Sequence, residues 1–254
     1  MANNAIVEVK AVGKSYDGGV EALAGVDLAL PQGELSTLLG PSGCGKTTLL
    51  KIIAGLIAPT SGEVWVNGKK VDGPGAERAF VFQDFALLPW ANVLRNVAFG
   101  LELRGLAKEE REQIARKHIG EVGLTKFAAS YPHQLSGGMR QRVGLARAFS
   151  VNADIILMDE PFSSVDEQTR RKFQEELLDL LRQKQKTVIF VTHSIEEAAY
   201  LSDSIVLLSP RPGKVSRILR PHIEREGRSP DEIRRDKVYL DVVDEIWQIL
   251  KRYV

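Results

Sequence analysis

The chain has little cysteine, little net charge and no long apolar run. Cys44 is the only cysteine among 254 residues, which excludes an internal disulfide framework and is typical of proteins from a reducing compartment. The net charge is +1, so bulk charge does not indicate a nucleic-acid-binding surface, and we expect no nucleic-acid partner. No apolar run approaches the roughly 18 residues that a membrane span needs.

The N-terminal sequence, MANNAIVEVK, has no basic segment followed by an apolar core. We therefore expect no secretory signal. Hydrophobic residues make up 44% of the chain and charged residues 26%, which is ordinary for a globular protein with a full core. We expect a chain that is soluble on its own, built as one large domain or as one core with an inserted lobe.

Short apolar segments alternate with segments of helical periodicity. The strand-like segments are residues 6–12, 34–40, 62–71, 79–83, 154–159, 187–193, 204–209 and 213–219, and residues 20–30 lead through Pro31–Gly33 into 34–40. Helical spacing is found at 46–56, at 167–183 and, almost without interruption, from about 92 to 150. This alternation predicts an α/β fold with a mostly parallel sheet covered on both faces. The long helical stretch predicts an inserted lobe.

The C-terminal segment from residue 221 to 254 has a different pattern. Ser229 precedes Pro230 and is followed three residues later by Glu232, which predicts a capped helix start. Further apolar residues share one helical face, namely Leu240, Val243, Ile246, Trp247, Leu250 and Tyr253. The pattern favours a terminal helix packed on the body. The alternative is that this face meets another chain.

Residues 40–47, GPSGCGKT, match the phosphate-binding pattern G-x-x-x-x-G-K-[ST] between an apolar strand and a helix. Glycines allow backbone N–H groups to point toward a phosphate, and the helix N-terminus adds its positive dipole. Lysine would neutralise β- and γ-phosphate oxygens, and the threonine hydroxyl would bind Mg²⁺. The predicted nucleotide-binding residues are Gly40, Pro41, Ser42, Gly43, Cys44, Gly45, Lys46, Thr47 and the adjacent Thr48.

Two acids follow the apolar segment 155–158 directly. In a phosphate-loop protein, a carboxylate at the end of a neighbouring strand anchors Mg²⁺, and Asp159 fits that role. Glu160 could polarise a water for attack on the γ-phosphate. Acids also cap strand ends for structural reasons, but two adjacent acids after a buried strand favour the catalytic interpretation.

Six elements occur in one order: residues 40–47, Gln83, LSGGMRQ (135–141), ILMDEP (156–161), SSVD (163–166) and THS (192–194). In order and spacing this set resembles the ATP-binding subunit of an ATP-binding cassette (ABC) transporter. The resemblance covers roughly residues 5–220. It implies a P-loop core with a mostly parallel sheet, an antiparallel β subdomain and a helical subdomain inserted at about 88–150. The domain would span residues 1–220, followed by a helical tail at 221–254.

The resemblance also implies residue roles. Tyr16 would stack on adenine, and Gln83 would contact Mg²⁺ and the attacking water. His193 would contact the γ-phosphate, beside the catalytic Glu160 and Lys46. The signature residues Ser136, Gly137 and Gly138 would touch a γ-phosphate held by a second ATPase subunit, and Asp166 would cross the boundary between the two subunits. The incomplete cradle at 136–138 therefore predicts a working unit of two chains, and Ser136 should face solvent in a single chain.

A closer resemblance lies in residues 73–105 and in LLSPRPGKV (207–215), which are similar to the taurine, nitrate and aliphatic sulfonate importer subgroup. It implies transmembrane permease subunits, an extracytoplasmic solute-binding protein and a peripheral position on the cytoplasmic face of the inner membrane. The function expected is ATP-driven import of a small anionic solute. The alternatives are a different solute, an exporter or an ABC-type ATPase outside transport.

The sequence departs from the common family motifs at a few positions. Ser194 follows His193 where an aspartate is common, and with Glu197 it forms an S-x-x-E pattern that predicts a capping box. Cys44, inside the phosphate loop near a helix N-terminus, is expected to have a lowered thiol pKa and to react with alkylating reagents. The alternative is a small buried residue that reagents do not reach.

Overall fold

The computed structural model describes residues 5–163 and 166–253. The strands, in chain order, are β1 (Ala5–Tyr16), β2 (Val20–Pro31), β3 (Leu35–Leu39), β4 (Ser61–Val66), β5 (Lys69–Lys70), β6 (Arg78–Val81), β7 (Ile155–Asp159), β8 (Thr187–Thr192), β9 (Ser204–Leu208) and β10 (Val215–Leu219). The helices are α1 (Lys46–Ala54), α2 (Val93–Leu103), α3 (Lys108–Glu121), α4 (Gly137–Ser150), α5 (Glu167–Lys184), α6 (Ile195–Leu201), α7 (Pro230–Arg235) and α8 (Lys237–Leu250).

The chain divides into two compact units. The first comprises residues up to Gly75 together with those from Gln174 onward, and the second comprises Ala76–Phe173. The first unit therefore holds the phosphate-loop motif, and the second holds the long helical stretch and the paired acids at 159–160.

One layer of the first unit is an antiparallel sheet of order β2-β1-β4-β5. Asn67 and Gly68 connect its last two strands, both with positive φ (50° and 69°). A two-residue turn of this kind matches the right-handed twist of a hairpin. Asn-Gly between two strands is the sequence signal for such a turn, and the structure shows the hairpin at Asn67-Gly68.

The second layer of the first unit has β3 between β8 and β9, parallel to both, with β10 antiparallel at the edge. Every residue of β3, β8 and β9 is buried, as is typical of parallel strands covered on both faces. The polar side chains within these strands are paired, as in the 2.8 Å hydrogen bond between Ser36 Oγ and Ser204 Oγ. The predicted α/β class with mostly parallel strands and an antiparallel sheet is confirmed.

The second unit combines a parallel strand pair, β6 with β7, and three helices around an apolar core. Val97, Ile119 and Val143, one from each of α2, α3 and α4, are at most 1% exposed in this core. The helical periodicity between residues 92 and 150 thus corresponds to three packed helices. Among the helices that the structure describes, none is both long enough and apolar enough to cross a bilayer.

The C-terminal segment forms two helices in place of one. Ser229 and Glu232 make the predicted capping box at the start of α7. In α8, Tyr239, Ile246 and Ile249 are buried. Leu240 and Trp247, predicted on the packed face, are instead 53% and 54% exposed. That part of the prediction was wrong, because the face that packs is turned toward Tyr239 and Ile249.

Candidate nucleotide site

The loop between β3 and α1 depends on glycine at two positions. Gly43 and Gly45 have φ of +74° and +99°, a region that residues with a Cβ rarely adopt. A Cβ on Gly45 would also lie 2.7 Å from Leu23 Cδ2 and 2.8 Å from the Ala22 carbonyl oxygen. The loop therefore keeps its shape only with glycine, and α1 begins directly after it at Lys46.

Lys46 is buried, with only 6% of its surface exposed. Its Nζ donates to the carbonyl oxygens of Gly40 (2.8 Å) and Pro41 (3.1 Å) and lies 3.9 Å from Cys44 Sγ. Neither carbonyl carries a full negative charge. The first N–H groups of a helix also have no acceptors within that helix. A buried cation beside a helix N-terminus fits a phosphate group.

Cys44 is only 1% exposed. Burial raises the pKa of its thiol above the ordinary value of 9.0, although the nearby Lys46 ammonium acts in the opposite direction. The lowered pKa expected from the helix N-terminus was wrong, because burial outweighs the positive charge. Cys44 is therefore a small packing residue.

Tyr16, at the end of β1, lies next to α1. Its hydroxyl and Thr48 Oγ1 are hydrogen-bonded at 3.2 Å, and Lys14 Nζ lies 5.3 Å from the ring centroid. The ring is 44% exposed. An exposed aromatic face held beside the phosphate loop can accept a flat base by stacking.

Sequence reasoning missed Arg211, which lies against the phosphate loop. Its Nε donates to the Gly43 carbonyl oxygen at 3.3 Å, and its Nη2 lies 3.2 Å from where a Cβ on Gly43 would be. Gly213, two residues on, approaches so closely that its Cβ would lie 2.0 Å from the Cys44 carbonyl oxygen. The RPG sequence within 207–215 is the sequence signal for this position.

His193 follows β8 and is exposed. The next turn differs from the predicted capping box. Ser194 Oγ accepts from the Glu197 backbone N–H at 3.2 Å, but the Glu197 carboxylate accepts from Thr192 Oγ1 at 2.5 Å and so does not complete the box. The Ser194 N–H donates to Thr192 Oγ1 instead. The prediction was half wrong, because a buried threonine hydroxyl competes for the carboxylate.

In the second unit, Asp159 is the buried last residue of β7, and Glu160 is partly buried. Glu160 has a φ of +43°, and its carbonyl oxygen accepts from the N–H and hydroxyl of Ser163 at 3.2 and 3.0 Å. A left-handed non-glycine residue persists only where its surroundings hold it, and such residues cluster at functional sites. The two bonds from Ser163 thus hold the Glu160 backbone in this conformation.

The signature residues begin α4. Ser136 is exposed, as predicted for a single chain, and its Oγ accepts from the Met139 N–H at 3.3 Å. A Cβ on Gly138 would make only an ordinary 3.6 Å contact with Thr169. The packing around position 138 within the chain therefore does not require glycine. Gln141, at the end of the motif, is fully buried and donates to the Pro161 carbonyl oxygen. It ties the signature helix to the segment just after Glu160.

Asp166 begins α5. Its Oδ1 accepts from the Thr169 N–H at 3.0 Å, and hydrogen bonds from Thr169 hold the pKa of this carboxyl below its ordinary value. Ser164 and Val165, the middle of the SSVD motif, lie outside the described residues.

Gln83, after β6, is exposed. The predicted residues thus fall into two sets, with Tyr16, residues 40–48 and His193 in the first unit and the others in the second.

Residues 23–163 match the sequence profile of the ABC transporter family. This match covers more than half of the chain. The chain belongs to the ABC transporter family. As a member of this family it binds nucleotide and is an ATPase, as predicted.

Curated relatives of this ABC transporter ATPase align over most of its length. A taurine import ATP-binding protein of Chromobacterium violaceum is 50% identical over 87% of this chain and 85% of its own. Another, from Pseudomonas syringae pv. tomato, is 43% identical over 95% and 94%. An uncharacterised ABC transporter ATP-binding protein of Methanocaldococcus jannaschii is 50% identical over 91% and 88%.

Among solved structures, the cassette is similar to an ATP-binding cassette solved as a dimer in a post-hydrolysis state with bound ADP and Pi. The TM-score is 0.76 at 36% identity, covering 84% of this chain and 98% of that one. At this identity the likeness supports the fold and the ATPase activity together.

Proposed function

We propose that the chain is the ATP-hydrolysing subunit of an importer for a small anionic solute of the taurine, sulfonate or nitrate type. The single observation that carries the ATPase part is the buried Lys46 ammonium, held between loop carbonyl groups at a helix N-terminus. The solute class is supported by the taurine import relatives. It does not follow from any residue of the site itself, since a cassette of this kind does not touch the solute.

Residues of the phosphate loop would bind ATP. Lys46 and the backbone N–H groups of residues 43–47 would surround the phosphates, and the Tyr16 ring would stack on the base. We propose Thr47, Gln83 and Asp159 as the groups that hold Mg²⁺, because hydroxyl, amide and carboxylate oxygens are its preferred ligands. When bound, the ion would neutralise charge on the β- and γ-phosphate oxygens.

Glu160 is the proposed general base. Its left-handed backbone is held by two hydrogen bonds from Ser163, and its carboxylate would accept a proton from the attacking water. His193 and Gln83 would orient the same water and the γ-phosphate. These residues act mainly by positioning and electrostatic stabilisation, which dominate phosphoryl transfer.

A second cassette would complete the site. Ser136 is exposed, and its hydroxyl and the N–H groups at the start of α4 would bind the γ-phosphate held by the partner's phosphate loop. Glycine at 138, where a side chain would meet only an ordinary contact within the chain, would then allow this close approach. Asp166 would take part in the contact between the two subunits.

The permease would dock on the helical part of the second unit. A groove of about 480 Å³ there is lined by Trp90, Arg95, Glu102, Lys108 and Tyr131, among others. Trp90 is 71% exposed. An exposed tryptophan beside mixed charges is typical of protein-binding surfaces. The assembly we propose places the cassette on the cytoplasmic face of the inner membrane, with a solute-binding protein on the outer side.

Buried Asn96 fixes the segment that carries Trp90. Its Oδ1 accepts from the Leu88 N–H at 2.8 Å, and its Nδ2 donates to the Ala91 carbonyl oxygen at 2.8 Å. The loop is thus ordered before any partner arrives, which lowers the entropy lost on binding.

The test is reconstitution in vesicles with permease subunits and a solute-binding protein of the taurine, nitrate and sulfonate importer subgroup. Taurine, an alkanesulfonate and nitrate would be compared as solutes, with an uncharged sugar as the control. We expect ATP hydrolysis to rise with one of these three solutes. If only the uncharged solute stimulates hydrolysis, the solute class is wrong; if no solute does while basal hydrolysis persists, an ATPase outside this importer subgroup is favoured.

A further inference from the structure

The turn after Gln83 contains two consecutive residues in the left-handed region. Phe85 has a φ of +63° and Ala86 a φ of +42°, and neither is glycine. This conformation is unfavourable for any residue that has a Cβ, because the Cβ comes too close to the following carbonyl oxygen. The turn therefore needs contacts from outside itself to keep its shape.

Arg147, on α4, supplies those contacts. Its Nη2 donates to the Phe85 carbonyl oxygen at 2.6 Å, and its Nη1 donates to the Ala86 carbonyl oxygen at 2.7 Å. Both bonds come from one planar guanidinium and end on the two left-handed residues. Asp84, the neighbouring acid, adds an electrostatic attraction to the same guanidinium. A fork of two charge-assisted bonds fixes direction as well as distance.

A packing contact reinforces the fork. Phe85 is buried at 5% exposure. Gly144 lies one turn before Arg147 on α4, and a Cβ placed there would lie 3.8 Å from Phe85 Cβ. The same face of α4 thus holds the side chain of Phe85 and the carbonyl groups of the turn. This helix begins at Gly137 and is capped by Ser136. The helix that carries the signature residues at its start therefore also contacts the turn after Gln83.

We propose that Arg147 is a positioning residue for Gln83. It holds the left-handed turn at Phe85 and Ala86, and this places Gln83, two residues earlier, in the orientation that hydrolysis requires. The same bonds make the position of Gln83 depend on the helix that carries Ser136. The inference rests on the proposed role of Gln83 in the ATPase site.

Arg104 provides a matched control in the same unit. Its guanidinium also donates to two backbone carbonyl oxygens. Nη2 donates to the Ala76 oxygen at 2.8 Å, and Nη1 donates to the Val151 oxygen at 2.5 Å. Neither acceptor residue is left-handed, and neither adjoins Gln83. Loss of the Arg104 fork should thus affect stability without affecting Gln83.

The experiment is a double-mutant cycle on the purified full chain, comparing Arg147→Lys, Gln83→Ala, the double variant and Arg104→Lys. The measured quantities are kcat, KM for ATP, the Mg²⁺ concentration for half-maximal rate and Tm. We expect Arg147→Lys to lower kcat about tenfold, since lysine cannot make the fork, with KM within about twofold. In the Gln83→Ala background the same change should lower kcat by less than about twofold.

A rescue variant keeps the proposal testable if Arg147→Lys is poorly stable. Ala86→Gly removes the cost of the left-handed conformation, so it should restore a large part of the kcat lost in Arg147→Lys. Arg104→Lys should leave kcat and the Mg²⁺ dependence within about twofold of the unchanged chain, even if its Tm falls.

Several results would overturn the inference. If Arg147→Lys lowers kcat equally with and without Gln83, or if Ala86→Gly restores nothing, Arg147 has only a general structural role. If Gln83→Ala leaves kcat and the Mg²⁺ dependence unchanged, the proposed role of Gln83 fails as well. A loss in Gln83→Ala with no loss in Arg147→Lys contradicts the inference alone.

Discussion

Lys46 Nζ donates a 2.8 Å hydrogen bond to the carbonyl oxygen of Gly40, the first residue of its own phosphate loop. The lysine therefore braces the loop from inside and also places a buried positive charge there. Both effects come from the spacing of the motif, in which the lysine lies six positions after the first glycine. The spacing of the motif thus holds a buried positive charge at the loop that would bind the phosphates.

Removal of this ammonium should abolish tight ATP binding. We expect Lys46→Ala to weaken ATP binding by about 10- to 100-fold, because the hydrogen bonds to a charged group are lost together with the charge. Lys51→Ala, in the last turn of the same helix, is the control and should leave the affinity unchanged. Equilibrium binding of a fluorescent ATP analogue measures both, and equal affinities for the two variants would exclude Lys46 as a phosphate ligand.

Cys44 should resist alkylation in the folded chain. Because burial raises its pKa, little thiolate forms at pH 7 to 8, and the side chain is enclosed as well. We expect labelling by iodoacetamide to require unfolding, at a rate that does not depend on Mg-ATP except through stability. Rapid labelling of the native chain at pH 7 that ATP prevents would instead support the reactive thiol.

The raised pKa of Cys44 also sets the sign of a pH effect on stability. The unfolded chain loses the thiol proton near the ordinary value of 9.0, whereas the folded chain keeps it to higher pH. The unfolded state then binds fewer protons, so the free energy of unfolding falls as the pH rises above about 9. Cys44→Ala should lack this component in denaturant titrations.

Arg211 should strengthen ATP binding through its charge. Its guanidinium lies on the Gly43 carbonyl at the surface of the phosphate loop. We expect Arg211→Gln to weaken ATP binding by about two- to fivefold at low salt and by less at high salt, as for an exposed charge. Titration calorimetry at two salt concentrations measures this. Arg211→Lys, which keeps the charge, is the control, and a loss that is equal in both variants would show a packing effect instead.

Trp90 should be needed for coupling to the permease and not for basal hydrolysis. Truncation of a central tryptophan commonly costs 2 kcal/mol or more, so we expect Trp90→Ala to weaken binding to the permease by about 30-fold or more. Phe127 is an exposed aromatic residue of the same unit that does not line the groove, so Phe127→Ala is the control. Co-purification and transport in vesicles provide the measurement. Normal transport by Trp90→Ala would place the docking surface elsewhere.

The sequence predicted the parts of the fold that depend on local pattern. Apolar strands such as 35–39 and 187–192, the Asn67-Gly68 turn and the Ser229 capping box all depend on residues close together in the chain. The phosphate loop was equally predictable, because the backbone at positions 43 and 45 has a positive φ that favours glycine. In each case the cause lies within a few residues of the effect.

Features set by distant residues could not be predicted. The pKa of Cys44 depends on burial, to which the close approach of Gly213 contributes. The Glu197 carboxylate binds the Thr192 hydroxyl across the turn at His193, and the capping pattern alone does not include that competitor. For α8, a list of apolar residues fits more than one stripe on the helix, and only packing decides that Ile249 is inside and Trp247 outside.

The central claim is that two chains share each ATP. Glu160→Gln should abolish turnover while leaving ATP binding intact, because the amide cannot accept the proton of the attacking water. Sedimentation velocity of this variant tests the claim most directly. We predict one chain per particle without nucleotide and two with Mg-ATP, and a return to one chain when Ser136→Arg is added to block the signature loop. A Glu160→Gln chain that stays monomeric in saturating Mg-ATP, or that hydrolyses ATP normally, would contradict the account.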